Sequence, residues 1–276
     1  MSLQVVEENS IAIGKIIKSN KHVRIYVDSE KYIEDEKIQL YLQLEPEAIC
    51  PKKNFLIKNS SRYKAILTFD TDVLRACTNA IRFTFYTETW IHENDYSNID
   101  TSKKRFAIST LVGAKSLTEG HRLRQILYFA QNYLLSLPFT FYRSNQQPLL
   151  PEIQNNPLLE GLHIDAKFTL FKTYQFHLAI ENSRQENYFT EKLIDCLITK
   201  TIPIYYGCPN IQEYFDTTGW ILLESASPME VFVRCNELHS NYYDTYKDII
   251  DANYQKALLW KENYQRFNLV LETIIG

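Results

Sequence analysis

Short apolar runs alternate along this chain with stretches of three-to-four periodicity, the pattern of parallel strands joined by crossover helices. The runs His22–Val27, Ile38–Leu44, Ala65–Phe69 and Ile81–Tyr86 predict strands, with a short helix over Asp70–Ala76. Tyr96–Lys104 is polar and predicts a domain boundary. A second series follows it. Arg105–Val112 reads as a strand, Leu137–Tyr142 as another, and Thr118–Leu135 as a helix with Leu123, Leu127, Ala130 and Leu134 on one face. Pro148, Pro151 and Pro157 make Gln146–Gly161 a loop. Tyr174–Ile180, Ile202–Tyr206 and Trp220–Leu223 predict strands, and Thr190–Thr199 a helix. From Tyr242 onward Ile250, Tyr254, Ala257, Trp260, Tyr264, Phe267, Leu271 and Ile274 recur at helical spacing and predict a packing face.

Two such series imply an α/β fold of two Rossmann-like domains facing each other across a cleft, residues 1–104 and 105–276. In open α/β sheets the ligand sits beyond the carboxyl ends of the strands, so functional residues are expected just after them.

Composition narrows the chemistry. A formal charge of −3 over 276 residues gives no basic footprint for nucleic acid or anionic lipid. With only 7 glycines there is no G-x-G-x-x-G and no Walker A motif. The five cysteines (Cys50, Cys77, Cys196, Cys208, Cys235) form no C-x-x-C, which argues against a disulfide framework or structural zinc and for a reducing compartment. Met1–Lys15 shows no secretory signal pattern, and no apolar run approaches membrane-spanning length. The expectation is a cytoplasmic protein without an integral membrane segment.

The densest polar cluster is Phe176–Lys192, FHLAIENSRQENYFTEK. An apolar strand ends in Glu181-Asn182-Ser183, and Tyr188-Phe189-Thr190-Glu191-Lys192 opens a helix with Thr190 as its N-cap. A lysine in a first turn has the wrong charge for the helix dipole, and makes sense if an anion such as a diphosphate sits there. Glu191 could accept from ribose hydroxyls. An ordinary capped helix with solvated charges would explain the same residues.

The stretch from Phe176 to Ile211 resembles the donor-binding motif of the α1,3/4-fucosyltransferases, glycosyltransferase family 10. Glu181, Asn182, Ser183, Tyr188, Thr190, Glu191, Lys192, Pro203 and Gly207 match that pattern, Ile180 replaces a Phe, and the likeness spans residues 174–224. The resemblance implies a GT-B fold and an inverting transfer of a sugar, typically fucose, from a GDP-sugar to a glycan hydroxyl without a metal cofactor. It implies that Glu191 holds the ribose, Lys192 the diphosphate, and Asn182 and Tyr188 the phosphate and sugar end. It also implies an arginine on the first helix of the second domain: Arg124 rather than Arg122, which is expected on a solvated face. His121 is expected on the helix surface.

An inverting transfer needs a base for the acceptor hydroxyl. The resemblance points to Glu45 after the Ile38–Leu44 strand, although the family's Gly-Glu-Asn is Leu-Glu-Pro here; Glu47 and Glu88 are alternatives. Asp70-Thr71-Asp72 could hold a divalent cation, but N-capping explains Asp70 and the triplet lies far from the donor motif. Trp90 could stack on an acceptor sugar or simply pack. Cys196 and Cys208 read as packing residues. The rival readings are the same fold with another nucleotide sugar, and a non-catalytic sugar-nucleotide or glycan-binding protein.

Overall fold

The computed structural model describes residues 4–7, 23–34, 36–86, 89–131, 138–144, 147–148 and 167–275. The chain forms two compact units, 1–87 with 185–188 and 262–276, and 88–184 with 189–261. Each contains a five-stranded sheet in which every described pairing is parallel.

In unit 1, β1 (Gln4–Glu7), β2 (Val23–Val27), β3 (Ile38–Leu42), β4 (Ala65–Thr68) and β5 (Ala80–Arg82) lie side by side in sequence order. Helices α1 (Lys53–Asn59) and α2 (Thr71–Ala76) belong to the crossovers. Strands β2 and β4 are buried at every position, as central parallel strands covered on both faces must be. β3 stops short of the expected Leu44, because Asp28 takes over the backbone beyond it. The Asp28 carboxylate accepts from Leu44 N at 3.1 Å and Glu45 N at 2.9 Å. Asp28 itself turns the chain out of β2 with φ +48°. β5 is likewise shorter than Ile81–Tyr86: Phe83 N still donates to Thr68 O at 2.9 Å, and Phe83 and Phe85 then pack on Phe267, with ring centroids 5.9 and 5.6 Å away.

In unit 2 the chain runs α3 (Glu93–Tyr96), β6 (Arg105–Val112), α4 (Glu119–Phe129), β7 (Phe139–Arg143) and β8 (Tyr174–Ile180). It continues through α5 (Glu191–Ile198), β9 (Ile202–Tyr206), β10 (Ile221–Leu222), α6 (Pro228–Cys235), α7 (Tyr242–Thr245) and α8 (Lys247–Lys261). The strand order is β10-β9-β8-β6-β7, so the winding reverses direction between β6 and β8. That reversal is a topological switch point, where the loops leaving neighbouring strands diverge and open a crevice. The apolar core under it is built from Ile108, Val112, Leu127, Phe176, Leu178, Ile202 and Ile204, all nearly fully buried.

The expected boundary near residue 104 differs from the division observed. Residues 89–104 are tied into unit 2: Trp90 N donates to Asp195, and the Lys104 ammonium donates to Phe171 O, Tyr174 O and Thr201 Oγ1 at 2.7, 3.0 and 2.8 Å. The expected C-terminal helical face is also divided. α8 ends at Lys261, and α9 (Asn263–Ile275) returns to unit 1, where Phe267 and Leu271 join the core of Ile25, Leu40 and Leu67. Asn263 Nδ2 fixes the crossing by donating to Tyr86 O at 3.1 Å. The α4 helix starts after its Thr118 N-cap as expected; residues 132–137, 145–146 and 149–166, covering its expected end and most of the Pro-rich loop, lie outside the described residues. No described helix is long and apolar enough to cross a membrane.

Lys104 gives unit 2 a pH dependence. Burial lowers its pKa to about 7, whereas in an unfolded chain a lysine titrates near about 10.4. Between those values the unfolded state holds the extra proton, so this residue makes stability rise with pH. Thermal midpoints compared at about pH 7 and pH 9 should rise more steeply for the natural protein than for Lys104→Met. Parallel slopes would show that Lys104 contributes no such dependence.

Candidate active site

The polar part of the motif, Glu181-Asn182-Ser183, begins where β8 ends. Glu181, fully buried, accepts from Thr190 N at 2.8 Å through one oxygen and from Thr190 Oγ1 at 2.7 Å through the other. This carboxylate anchors the start of α5, and Thr190 in turn accepts from Lys192 N. Burial pushes the Glu181 carboxyl upward, against the pull of Lys192 3.8 Å away. Two glycines make room for it. A Cβ on Gly207 would lie 2.5 Å from Glu181 Cγ and from Tyr205 Oη. A Cβ on Gly120 would overlap the Glu181 carbonyl, and Gly120 N donates to Asn182 O at 3.1 Å.

That close approach brings the first turns of α4 against the end of β8. Arg124 donates through Nη1 to Ile180 O and through Nη2 to Asn182 Oδ1 at 3.0 Å. Arg122 is exposed and turns back to Leu117 O. His121 departs from expectation: it is buried, with Nδ1 2.5 Å from Thr118 Oγ1. Burial, together with Arg124, Lys115, Lys192 and Arg122, lowers its pKa to about 4, so the ring is neutral near pH 7.

On α5 the Lys192 ammonium lies 3.0 Å from Glu191 Oε1 and 3.2 Å from Thr190 Oγ1. Burial opposes its charge, but Glu191 and Glu181 outweigh that and raise its pKa. Glu191 is held below its usual range despite burial, by Lys192 and Lys167. These side chains border a cavity of about 170 Å³ at the switch point, with Arg124, Glu191 and Lys192 in its wall beside Trp90, Lys167 and Asp195. Sequence reasoning gave Trp90 no firm role and missed Lys167 and Asp195. Asp195 stands four residues after Glu191 on one helix, a spacing that places both on one face. That signal was available.

Other expected site residues fall in unit 1. Residues 185–188 interrupt the motif and are built into that unit: Asn187, at φ +61°, donates to Phe69 O at 3.1 Å and accepts from Thr84 Oγ1 at 2.6 Å. Tyr188 is buried there against Phe69, with ring centroids 5.2 Å apart. Glu45 is exposed at the carboxyl end of β3, its backbone held by Asp28. Asp28, which the sequence reading passed over, has a pKa raised to about 7 by burial. Glu47 accepts from Lys52 N and Lys53 N at the start of α1, so its carboxylate acts as a cap. Glu88 lies outside the described residues.

Asp70 caps α2 through Asp72 N and Val73 N, and Asp72 pairs with Lys53 at 2.8 Å. Among the described residues no group of three or more His, Cys, Asp or Glu is placed to hold a metal ion. Cys196 and Cys208 are buried, Cys196 Sγ lying 3.2 Å from Lys192 O and Cys208 Sγ 3.0 Å from Asn210 Oδ1.

Known proteins resemble this arrangement. Residues 160–273 match the family model for the C-terminal part of glycosyltransferase family 10 (fucosyltransferase). Over 115 residues the chain is 32% identical to GDP-fucose protein O-fucosyltransferase 3 of Bos taurus, covering 42% of this chain and 22% of that protein. It is 28% identical over 116 residues to the alpha-(1,3)-fucosyltransferase FucT of Helicobacter pylori, covering 42% and 24%. The matched stretch is thus less than a quarter of either relative. Among solved structures, an alpha1,3-fucosyltransferase crystallised with GDP-fucose superposes with a TM-score of 0.57 at 17% identity, over 94% of this chain and 79% of that one. TarM superposes with a TM-score of 0.55 at 12% identity, over 92% and 50%. The fold is the GT-B fold, and residues 160–273 resemble the C-terminal part of the family 10 glycosyltransferases.

The two glycines carry a test of this packing. Gly120→Ala and Gly207→Ala should each lower stability by about 1–3 kcal/mol, the usual cost of overpacking, read as a shift in denaturant midpoint. Gly113→Ala is the control, since its Cβ would meet Ser144 Oγ at an ordinary 3.6 Å. Equal midpoints for all three would mean that the elements packed around Glu181 can separate without cost.

Proposed function

We propose that the protein transfers fucose from GDP-fucose to a hydroxyl of a glycan acceptor, with inversion at the sugar carbon and without a metal ion. The observation that carries the reading is the pair of cations, Lys192 and Arg124, converging on one cavity at the switch point of unit 2. That unit carries most of the family match, 160–273. Lys192 and Arg124 would bear the growing charge on the leaving diphosphate, stabilising the transition state with preorganised donors. Glu191 would hold the ribose, Asn182 the phosphate, and Tyr188 the sugar end. Glu45 would take the proton from the acceptor hydroxyl as its oxygen attacks the anomeric carbon and GDP departs from the opposite face; Glu88 is the alternative base. The carboxyl-end position of Glu45 after β3 supports it in that role. A cytoplasmic site of action is part of the proposal, supported by five free thiols.

The donor half is tested by binding. GDP and GDP-fucose should raise the thermal midpoint equally with and without excess chelator, because a ligand of the folded state stabilises it by mass action. Stabilisation that requires Mn²⁺ or Mg²⁺ would return Asp70 and Asp72 to consideration as ligands. Lys192→Ala and Arg124→Ala should each weaken GDP binding by about 1.5–3 kcal/mol, the range for hydrogen bonds to charged groups, while Arg122→Ala changes it little.

Turnover tests the base. Glu45→Gln preserves shape but cannot accept the proton, so kcat should fall by about 10²–10⁴-fold with GDP affinity unchanged. Full activity in that variant, with a large loss in Glu88→Gln, would move the base to Glu88. Binding of GDP-fucose without turnover on any acceptor would favour a binding protein.

A further inference from the structure

Beyond Glu191 and Lys192 the cavity continues one helical turn along α5, and its lining there has no role in phosphate or ribose binding. Asp195 is buried at 2% exposure, with its carboxylate oxygens 3.0 and 3.3 Å from Trp90 N. An ionised carboxylate offers about four acceptor sites, so this contact leaves capacity unused. The indole of Trp90 lines the same cavity, and its Nε1–H is buried without an acceptor among the described residues. A buried donor left unsatisfied is costly and uncommon. Lys167 holds the ring in place, its ammonium 3.4 Å from the indole centroid.

We propose that Asp195 and Trp90 form the nucleobase end of the donor site and select guanine, the carboxylate accepting from its N1–H and 2-amino group and the indole N–H donating to its acceptor edge. The inference rests on the GDP-sugar reading of the cavity. The size agrees: a dry cavity of roughly 150 Å³ holds a benzene ring, and the cavity here is of that order, suited to a flat ring system with the sugar and diphosphate extending outward. The chemistry discriminates among bases. Guanine presents two adjacent donors on one edge, whereas uracil has a single N–H between two acceptors and adenine has an acceptor at N1. Only guanine can therefore give both hydrogens to one carboxylate. Burial and the neighbouring Glu191 raise the Asp195 pKa, with Lys167 and Trp90 N opposing. Two N–H donors from a base would supply the solvation that the empty carboxylate lacks.

The test compares GDP with inosine diphosphate, which lacks only the 2-amino group, by calorimetric titration and thermal shift on the full chain. The natural protein should bind GDP roughly 10- to 100-fold more tightly, the value of one hydrogen bond to a charged group. Asp195→Asn keeps an oxygen for Trp90 N, and should bring the two ligands within about threefold of each other, mostly by weakening GDP. Trp90→Phe removes the indole donor and should weaken both ligands alike, leaving their ratio intact. Thermal midpoints without ligand check that each variant folds, and the Trp90 variant carries the test if Asp195→Asn does not. Tight GDP binding with the same GDP-to-inosine ratio in Asp195→Asn would overturn the assignment of Asp195. Unchanged affinities in Trp90→Phe would overturn that of the indole. No binding of any nucleoside diphosphate by the natural protein would overturn the donor reading as well, which separates the two failures.

Discussion

A carboxylate with no exposure to water, Glu181, sets the geometry of the second unit. Stranding a charge in a protein interior costs several kcal/mol unless every lone pair finds a partner. Glu181 offsets part of that cost with one bond on each oxygen, from the backbone N–H and the hydroxyl of Thr190, and with Lys192 nearby. The result is a fixed joint between the end of β8 and the start of α5. Helix α4 is drawn to the same joint, since Gly120 lets its first turn rest on the Glu181 carbonyl. Gly207 clears the other side. Arg124, Asn182, Glu191 and Lys192 all take their positions from elements that meet there. Glu181 thus sets where the site residues stand without itself lining the cavity.

The loop between Asn182 and Thr190 has a second constraint. Its middle, 185–188, belongs to unit 1, where Gln185 bonds Asp70 and Glu47 N, and Asn187 bonds Phe69 and Thr84. The positive φ of Asn187 is the kind of backbone outlier that persists only when its surroundings over-determine it. A motif that reads as one continuous signature along the chain is therefore built from two bodies. The same holds for the C-terminal helices, whose single apolar stripe serves the core of unit 2 up to Trp260 and that of unit 1 from Tyr264.

Much of this was legible in the sequence. Ile202–Tyr206 is buried at every position and stands out as an unbroken apolar run, and Tyr174–Ile180 as one interrupted only by Gln175 and His177. The Thr190 and Asp70 caps announced their helices through side chains suited to free N–H groups. What stayed hidden depends on partners distant in sequence. β3 ends two residues early because of a carboxylate sixteen positions upstream, at Asp28. His121 looks like a surface histidine until Thr118 and the packing of α4 bury it. The domain boundary moved because Lys104, in a polar segment, carries its ammonium into the interior of unit 2. Periodicity cannot report a lysine that is buried against the trend of its neighbours.

The charges around the cavity make a further point about how an anion could be held there. Three cations, Arg124, Lys167 and Lys192, stand with three carboxyl groups, Glu181, Glu191 and Asp195, which by formal count is a neutral cluster. The environment breaks that symmetry. Burial raises the pKa of Glu181 and of Asp195, shifting both toward the uncharged form, while Lys192 is held more firmly cationic by its neighbours. Glu191 alone among the three acids is pushed toward full ionisation. The balance therefore tilts positive where Arg124 and Lys192 approach the start of α5, and the positive end of that helix's dipole adds to the tilt. Under the proposed function a diphosphate would meet fixed protein charges there. The same neighbours explain why a lysine is tolerated in a first helical turn: Glu191 and Glu181 raise its pKa and offset its repulsion from the helix dipole.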